Sequence, residues 1–198
     1  MNIIEDLKNA ICNNDINFLE QHKNSYNINE RLVDEDNDTL LMYSISDSKS
    51  NVYEFFLRNN ADVNLTNDEG ENIIHAIIYS GDIKRLCYVM ENYKININHQ
   101  SNDGATPLLL AISLENNEIV NTLIEYGSNV NLSDIEGLAP LHLAAQLSDL
   151  NIIKKLVTKG ADLFTKTKRG NLPLALAVNR NEIDIIKYLY ETMYSSTH

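Results

Sequence analysis

Histidine and cysteine are the side chains of this sequence most able to bind a metal or to act as a nucleophile. The chain contains five histidines and two cysteines. Cys12 is followed by His22, and Cys87 lies between His75 and His99. These spacings are unlike the close pairs of zinc ligands, and they provide no set of nucleophile, base and orienting group. We therefore predict no catalytic site, no metal site and no cofactor, and we expect both thiols to be free and buried or partly buried.

Sequence motifs of enzymes are also missing. The chain has no Gly-x-Gly-x-x-Gly, no phosphate-binding Gly-x-x-x-x-Gly-Lys-Ser/Thr, no His-Glu-x-x-His and no Gly-x-Ser-x-Gly. The repeats described below occupy the whole chain, so no segment is left for a separate catalytic domain. We therefore predict that the protein is not an enzyme. Residues 1–33, the least regular segment, are the one place left open for another activity.

The charge of the chain restricts its partners. Lys and Arg total 16 against 28 Asp and Glu, which gives a formal net charge of -12 and a pI near 4.7. Such a chain repels phosphate backbones and anionic lipid surfaces. We therefore predict no nucleic-acid partner and no membrane partner. The acidity is concentrated in the N-terminal half, where residues 1–99 carry 8 basic and 17 acidic side chains.

Composition and targeting signals indicate a folded cytoplasmic protein. Hydrophobic residues make up 43% of the chain and charged residues 22%, which is near the average for soluble globular proteins. The N-terminus lacks the basic flank and apolar core of a signal peptide. The longest apolar stretches, such as residues 108–112, are far shorter than the ~20 residues needed to span a bilayer. Two cysteines without a disulfide pattern favour a reducing compartment, and we predict the cytoplasm.

Proline and glycine reveal an internal repeat. The three prolines of the chain are evenly spaced, at Pro107, Pro140 and Pro173. Two series of glycines have the same spacing: Gly104, Gly137 and Gly170 in one, and Gly127 and Gly160 in the other. A fixed period of about 33 residues is typical of stacked repeats, in which no single repeat buries its own apolar face.

Each repeat period predicts two helices. Thr106 and Pro107 are residue types that begin helices, and an apolar stretch follows them up to Leu114. A second helix is predicted over residues 118–126, where an apolar stripe consists of Ile119, Val120, Leu123 and Ile124 and recurs at the equivalent positions of the next two periods. Gly127 is suited to the left-handed conformation that ends helices. The pattern of one period is therefore turn, helix, loop, helix, turn.

These motifs resemble the ankyrin repeat family. The closest matches to its pattern are residues 137–145, residues 160–162, residues 104–108 and residues 60–64. The resemblance covers nearly the whole chain as a single domain, 1–198, of six repeats: 1–33, 34–66, 67–100, 101–133, 134–166 and 167–198. It implies an all-α ankyrin-repeat solenoid of stacked helix-loop-helix repeats, joined by β-turn or hairpin loops. The first and last repeats are expected to be atypical caps.

Departures from the family pattern lie towards the N-terminus. The first repeat lacks the turn motif, and the loop over residues 29–34 is two residues longer than its equivalent, so we expect it to be irregular. The second repeat has Asn37 in place of Gly and Leu40 in place of Pro. The resemblance also implies a structural hydrogen-bonding role for His75 and His142.

The resemblance implies a contact surface made of the turn tips and the first helix of each repeat. Its positions in this chain are Glu35, Asp36, Asp38, Asp47, Asp68, Glu69, Glu71, Tyr79, Asp103, Leu114, Ile135, Leu138, Gln146, Leu147, Lys168, Arg169 and Arg180. Neighbouring tip positions include Glu136, Asn171 and Asn179. From the second repeat to the sixth, the formal charge of these positions runs -4, -3, -1, -1 and +3.

We interpret this charge gradient as a surface for a protein partner. Leu114, Ile135, Leu138 and Leu147 would anchor the partner, and the charged ends would orient it. The partner is expected to have a basic surface opposite the second and third repeats. An alternative is that the acidic tips serve only solubility. A basic run could form an anion-binding patch or a solvated face: Lys154, Lys155, Lys159, Lys166, Lys168 and Arg169.

The sequence therefore predicts a monomeric, non-enzymatic protein-protein interaction module. One alternative is a dedicated inhibitor or immunity-type protein that neutralises one enzyme or toxin. Another is a pathogen effector or host-range protein, which the abundance of Asn, Ile and Lys would suit.

Overall fold

A computed structural model of the chain describes residues 3–33, 36–45 and 51–195. In these ranges the chain forms twelve helices and one two-stranded sheet. The helices follow one another in pairs, and each pair lies within one of the six sequence repeats. The chain forms two compact units, residues 1–102 and residues 103–198, and we call them the N-terminal unit and the C-terminal unit. This is the all-α repeat class predicted from the sequence.

The N-terminal unit contains the first three helix pairs. Its elements are α1 (Ile3–Cys12), α2 (Ile16–His22), β1 (Arg31–Leu32), β2 (Asp38–Thr39), α3 (Leu40–Tyr43), α4 (Val52–Arg58), α5 (Ile73–Ser80) and α6 (Ile83–Asn92). The two strands are antiparallel, with Arg31 opposite Thr39 and Leu32 opposite Asp38. The first strand lies inside residues 29–34, the longer loop expected to be irregular, so that expectation is wrong for the two residues of β1.

The C-terminal unit contains three helix pairs of more regular length. Its elements are α7 (Pro107–Ser113), α8 (Asn117–Glu125), α9 (Pro140–Leu147), α10 (Leu150–Thr158), α11 (Pro173–Arg180) and α12 (Ile183–Ser195). The first helices form a continuous row, because α9 packs against both α7 and α11. This row positions the candidate site described below.

Helix starts follow the predicted chemistry. The hydroxyl of Thr106 accepts a hydrogen bond from the backbone N–H of Leu109 at 3.1 Å, and Pro107 is the first residue of α7. The second helix begins one residue earlier than the sequence predicts, at Asn117, because the side chain of Asn116 caps it by accepting from the N–H of Ile119 at 3.1 Å. These caps satisfy N–H groups that have no partner within the helix.

The apolar stripe of each second helix forms the core. Ile119, Val120 and Leu123 are fully buried on α8, as the periodicity predicts. In the last helix, the final residue of the stripe is not buried. This residue is Tyr190, equivalent to Ile124, and it is 60% exposed. No described residue covers this face of α12 as a following helix pair would.

Arg85 is an unusual buried cation in the N-terminal unit. Its side chain is 4% exposed. Its guanidinium donates to the backbone carbonyl of Ile45 at 2.9 Å, lies 3.1 Å from the carboxylate of Asp82, and sits 4.8 Å from the centre of the Tyr53 ring. The charge is therefore compensated by a carbonyl, a carboxylate and a π face.

The expectation for the two thiols is wrong in one case. Both cysteines are free, and Cys87 is half-buried as expected, but Cys12 is exposed. Cys12 is the last residue of α1, where the helix ends at the surface, and its Sγ lies 3.5 Å from the hydroxyl of Tyr43.

Among the described helices, none combines the length and the apolarity needed to cross a membrane.

Candidate functional site

Backbone hydrogen bonds connect the turn tips of the C-terminal unit. The N–H of Ile135 donates to the carbonyl of Asp103, and the N–H of Lys168 donates to the carbonyl of Glu136, each at 2.9 Å. Each turn is thus held against the turn of the preceding repeat. The positions predicted to contact a partner therefore lie on a backbone that is fixed before any partner binds.

Gly104 allows the close approach of two of these turns. It has a φ of +81°, and a Cβ at this position would lie 2.7 Å from the backbone nitrogen of Ile135. A side chain would therefore face both a strained backbone conformation and a clash with main-chain atoms. The positive φ is shared by Gly137 and Gly170, at +75° and +80°, and it explains why a glycine recurs at this point of the repeat period.

Side chains at the base of each turn fix its shape. The Oδ1 atom of Asp134 accepts from the backbone N–H groups of Glu136 at 2.9 Å and Leu138 at 2.8 Å. In the next turn, the hydroxyl of Thr167 accepts from the N–H of Asn171 at 3.2 Å. Asp134 is thus held within its own turn by two hydrogen bonds to its charged carboxylate.

His142 connects α9 to the last turn. Its Nδ1 accepts from the N–H of Ala139 at 3.2 Å, so the proton of the neutral ring lies on Nε2, which donates to the carbonyl of Asn171 at 3.0 Å. Burial lowers the pKa of His142, and the bond to Asn171 and the charge of Asp134 oppose this only in part. The structural role that the resemblance implies for this histidine is therefore observed.

The last two turns and their first helices enclose a groove of about 520 Å³. The residues that line it come from the turns, from α9 and from the region of α11: Asp134, Glu136, Leu138, Gln146, Thr167, Arg169, Asn171, Leu176, Asn179 and Arg180. We call this the C-terminal groove. It brings together four of the predicted contact residues, Leu138, Gln146, Arg169 and Arg180.

The charged side chains of the groove differ in how they are paired. The Oε1 atom of Glu136 lies 4.0 Å from the Nζ atom of Lys168, and Asp134 is held within its turn. Arg169 and Arg180 are exposed, and neither forms an ion pair or a hydrogen bond with any residue that the structure describes. The charged groups of the groove that have no partner among the described residues are therefore both cations.

The other predicted apolar residues lie outside the groove lining. Leu114 is 46% exposed where α7 ends, and Ile135 is 53% exposed at a turn tip. Leu147 is half-buried as the last residue of α9. Leu176 lines the groove but was not predicted, because its position in the repeat, occupied by Leu143 in the fifth repeat, is not among the contact positions that the resemblance implies.

In the N-terminal unit, several predicted acidic contacts already have partners. The Nδ2 group of Asn37 donates to both carboxylate oxygens of Asp68 at 3.1 Å. Asp38 accepts from the amide of Asn67 at 3.0 Å, and the hydroxyl of Tyr79 donates to Glu71 at 2.9 Å. These carboxylates therefore help to hold the turns together.

At two further acidic residues of this unit, the main chain and not the side chain connects one turn to the next. The carbonyls of Asp36 and Glu69 accept from the N–H groups of Asp68 and Asn102, each at 2.8 Å, and both side chains are exposed. Glu35 and Asp47 lie outside the described residues. In the C-terminal unit, Asp103 accepts from the N–H of Ala105 at 3.1 Å.

No cluster of three His, Cys, Asp or Glu side chains suited to a metal ion occurs in the described part of the chain.

Helix pairs joined by hydrogen-bonded turns define a repeat protein, and comparison with known families identifies its class. The family model described as ankyrin repeats (3 copies) matches residues 41–134, 76–167 and 127–197. The chain therefore belongs to the ankyrin repeat family, whose members are generally protein-protein interaction modules. It is similar to an ankyrin repeat protein of fowlpox virus (strain NVSL), with 32% identity over 103 residues. That match covers 50% of this chain and 30% of the viral protein.

Proposed function

We propose that the protein is a non-enzymatic binding module and that its partner contacts the turn tips and first helices of the C-terminal unit. The proposal rests on exposed side chains in this region that take no part in holding the fold together. Arg169 and Arg180 are unpaired among the described residues, and Leu114 and Ile135 are large apolar side chains in solvent. Apolar anchors with an adjacent polar rim are typical of protein interfaces.

The rigidity of the turns supports the same proposal. The hydrogen bonds from Ile135 to Asp103 and from Lys168 to Glu136 fix the main chain beneath the exposed side chains. A partner that binds here therefore loses little affinity to the ordering of loops.

The N-terminal unit has acidic turn tips, and we propose that it contributes to the rate of partner binding. Asp36, Asp68 and Glu69 are exposed at successive turns. We propose that they attract a basic surface of the partner and speed its association, since opposite potentials on two surfaces raise the rate of encounter. Association is then expected to slow as salt is added, because exposed charges are screened.

Affinity capture with matched variants tests the binding surface. The double variant Leu114→Asp/Ile135→Asp adds two charges to the proposed surface. Ile16→Asp/Val33→Asp is the control, since it adds the same charge at residues that are 38% and 81% exposed in the N-terminal unit. We expect partner capture from a lysate to be lost with the first variant and kept with the control, while both keep wild-type circular dichroism. Equal capture by both variants would show that the partner binds elsewhere.

The similarity to a viral protein favours a second candidate function. In this candidate, the chain is an effector or dedicated inhibitor that acts on one protein of a host. A single stoichiometric partner from a host lysate, whose activity is lost on binding, would support it. Several weak partners would favour a general scaffold. We also propose that the protein is cytoplasmic and monomeric. Light scattering tests the monomer against the chain mass of 22.5 kDa, and fluorescence microscopy of the tagged protein tests the compartment.

A further inference from the structure

We infer that the C-terminal groove binds an acidic, extended segment of the partner, with its carboxylates on Arg169 and Arg180. This inference rests on the proposed function and specifies the chemistry of what that surface recognises. Its starting point is the contrast between an acidic chain and the two arginines of this groove, which have no partner among the described residues. The chain carries a formal net charge of -12, whereas the two unpaired charges of this groove are both guanidinium groups.

The two acidic residues that line the groove interact with groups other than these two arginines. Asp134 accepts two backbone N–H groups of its own turn, and Glu136 is near Lys168. Neither carboxylate forms an ion pair with Arg169 or Arg180. A guanidinium group matches the two oxygens of a carboxylate with two parallel hydrogen bonds. A carboxylate supplied from outside the chain is therefore a ligand group that suits each arginine.

Three amide side chains define the shape of the ligand. Gln146, Asn171 and Asn179 line the groove, and among described residues none of these side-chain amides has a hydrogen-bond partner. Each amide offers both a donor and an acceptor. An extended peptide backbone presents N–H and C=O groups along its length, so these amides suit a peptide in extended form.

Leu138 and Leu176 provide the apolar part of the groove. Both are half-buried and line the same cavity as the amides. A volume of about 520 Å³ is within the range of known ligand pockets. The segment is therefore expected to place an apolar side chain against these two leucines, next to its acidic residues.

The lining argues against nucleic acid as the ligand of these arginines. None of the residues that line the groove is aromatic, so it offers no surface on which bases stack, as single-stranded nucleic acids require. The acidity of the chain as a whole also opposes a phosphate backbone.

Selection from a display library of short random peptides tests the inference on the full-length protein. We expect enrichment of peptides that combine Asp or Glu with an apolar residue. The affinity of a labelled enriched peptide is measured by fluorescence anisotropy. Each of the substitutions Arg169→Gln and Arg180→Gln should weaken it about tenfold, and the double variant should combine the two losses. Lys159→Gln/Lys187→Gln removes the same charge from exposed positions outside the groove, and it should leave the affinity nearly unchanged.

The other outcomes distinguish failure of this inference from failure of the proposed function. Enriched peptides without carboxylates, or peptides insensitive to the arginine variant but sensitive to Leu114→Asp/Ile135→Asp, would overturn the acidic ligand and keep the binding surface. Arginine-dependent binding of a labelled single-stranded oligonucleotide, without binding of any peptide, would also overturn it. Peptides that are insensitive to both variants, or the absence of any enriched peptide, would overturn the acidic ligand, whereas the proposed function fails only if affinity capture is unaffected by Leu114→Asp/Ile135→Asp.

Discussion

The Nε2–H of His142 points at the carbonyl of Asn171, 3.0 Å away, and this bond joins α9 to a residue that lines the C-terminal groove. The same ring accepts the N–H of Ala139 through Nδ1. Protonation of Nδ1 would remove the acceptor of that bond. The neutral ring is therefore part of what holds the groove in shape.

This relationship predicts an acid-sensitive fold. The pKa of His142 is lowered in the folded protein, so the unfolded chain binds more protons as the pH falls below its ordinary value near 6.5. The stability that the neutral ring contributes is complete above that value and is lost as the pH falls towards the lowered pKa. We expect the free energy of unfolding, measured with urea, to decrease as the pH falls from neutral to below about 6.5.

The variant His142→Leu isolates this contribution. It leaves the Ala139 N–H and the Asn171 carbonyl without partners, which costs about 1–3 kcal/mol for each group at neutral pH. Its stability should change less steeply with pH than that of the wild type over the same range. An identical slope in the two proteins would contradict the role assigned to this ring.

Gly104 and Gly170 are expected to respond differently to alanine. Both have a positive φ, +81° and +80°, but a Cβ on Gly104 would meet the backbone of Ile135, whereas a Cβ on Gly170 would meet nothing within 4 Å. Gly104→Ala should therefore cost about 1–3 kcal/mol more than Gly170→Ala, because main-chain atoms must move to accept it. Equal urea midpoints for the two variants would show that the turns are not in close contact.

Arg85 is expected to stabilise the N-terminal unit far more than Arg58 does. Arg58 forms an exposed pair with Glu54 at 2.7 Å, and its side chain is 71% exposed, against 4% for Arg85. Arg58→Ala should change stability by about 0.5 kcal/mol or less. Arg85→Ala should cost about 2–4 kcal/mol, because it leaves a buried carbonyl and a cavity. Thermal unfolding followed by circular dichroism would reveal the difference, and similar melting temperatures would be inconsistent with the buried contacts of Arg85.

Removal of residues 167–198 is expected to cause aggregation. The deletion takes away α11, which packs on α9. Leu141 and Ala145 of α9 are at most 1% exposed in the full chain, and an uncovered apolar face of this kind promotes association between molecules. Light scattering on the 1–166 fragment tests the prediction. A soluble fragment that unfolds in one cooperative transition would contradict it.

The sequence was sufficient to predict the elements of the fold because their signals are local. Thr106 and Pro107 specify a helix start within a few positions, and the regular repeat period carries that information to each later repeat. The pairing of Asn37 with Asp68 was not predictable, because the two lie 31 residues apart and come together only when the repeats stack.

The candidate site was predictable only in part for the same reason. The family pattern gave Leu138, Arg169 and Arg180, but it gave no information on which charges find partners within the fold. That Glu136 is near Lys168 while Arg180 is unpaired among the described residues depends on side-chain geometry across neighbouring turns. The exposure of Cys12 likewise depends on where α1 ends against its neighbours.

Site-specific photo-crosslinking tests the central claim most directly. A photoreactive amino acid at position 135, on a turn tip, is compared with the same group at position 183, because Ile135 and Ile183 are both exposed, at 53% and 71%. We predict that a partner crosslinks to position 135 and not to position 183, and that excess unlabelled wild-type protein abolishes the adduct while Leu114→Asp/Ile135→Asp does not. An adduct at position 183 alone, or one that the double variant abolishes equally well, would contradict binding at the turn tips.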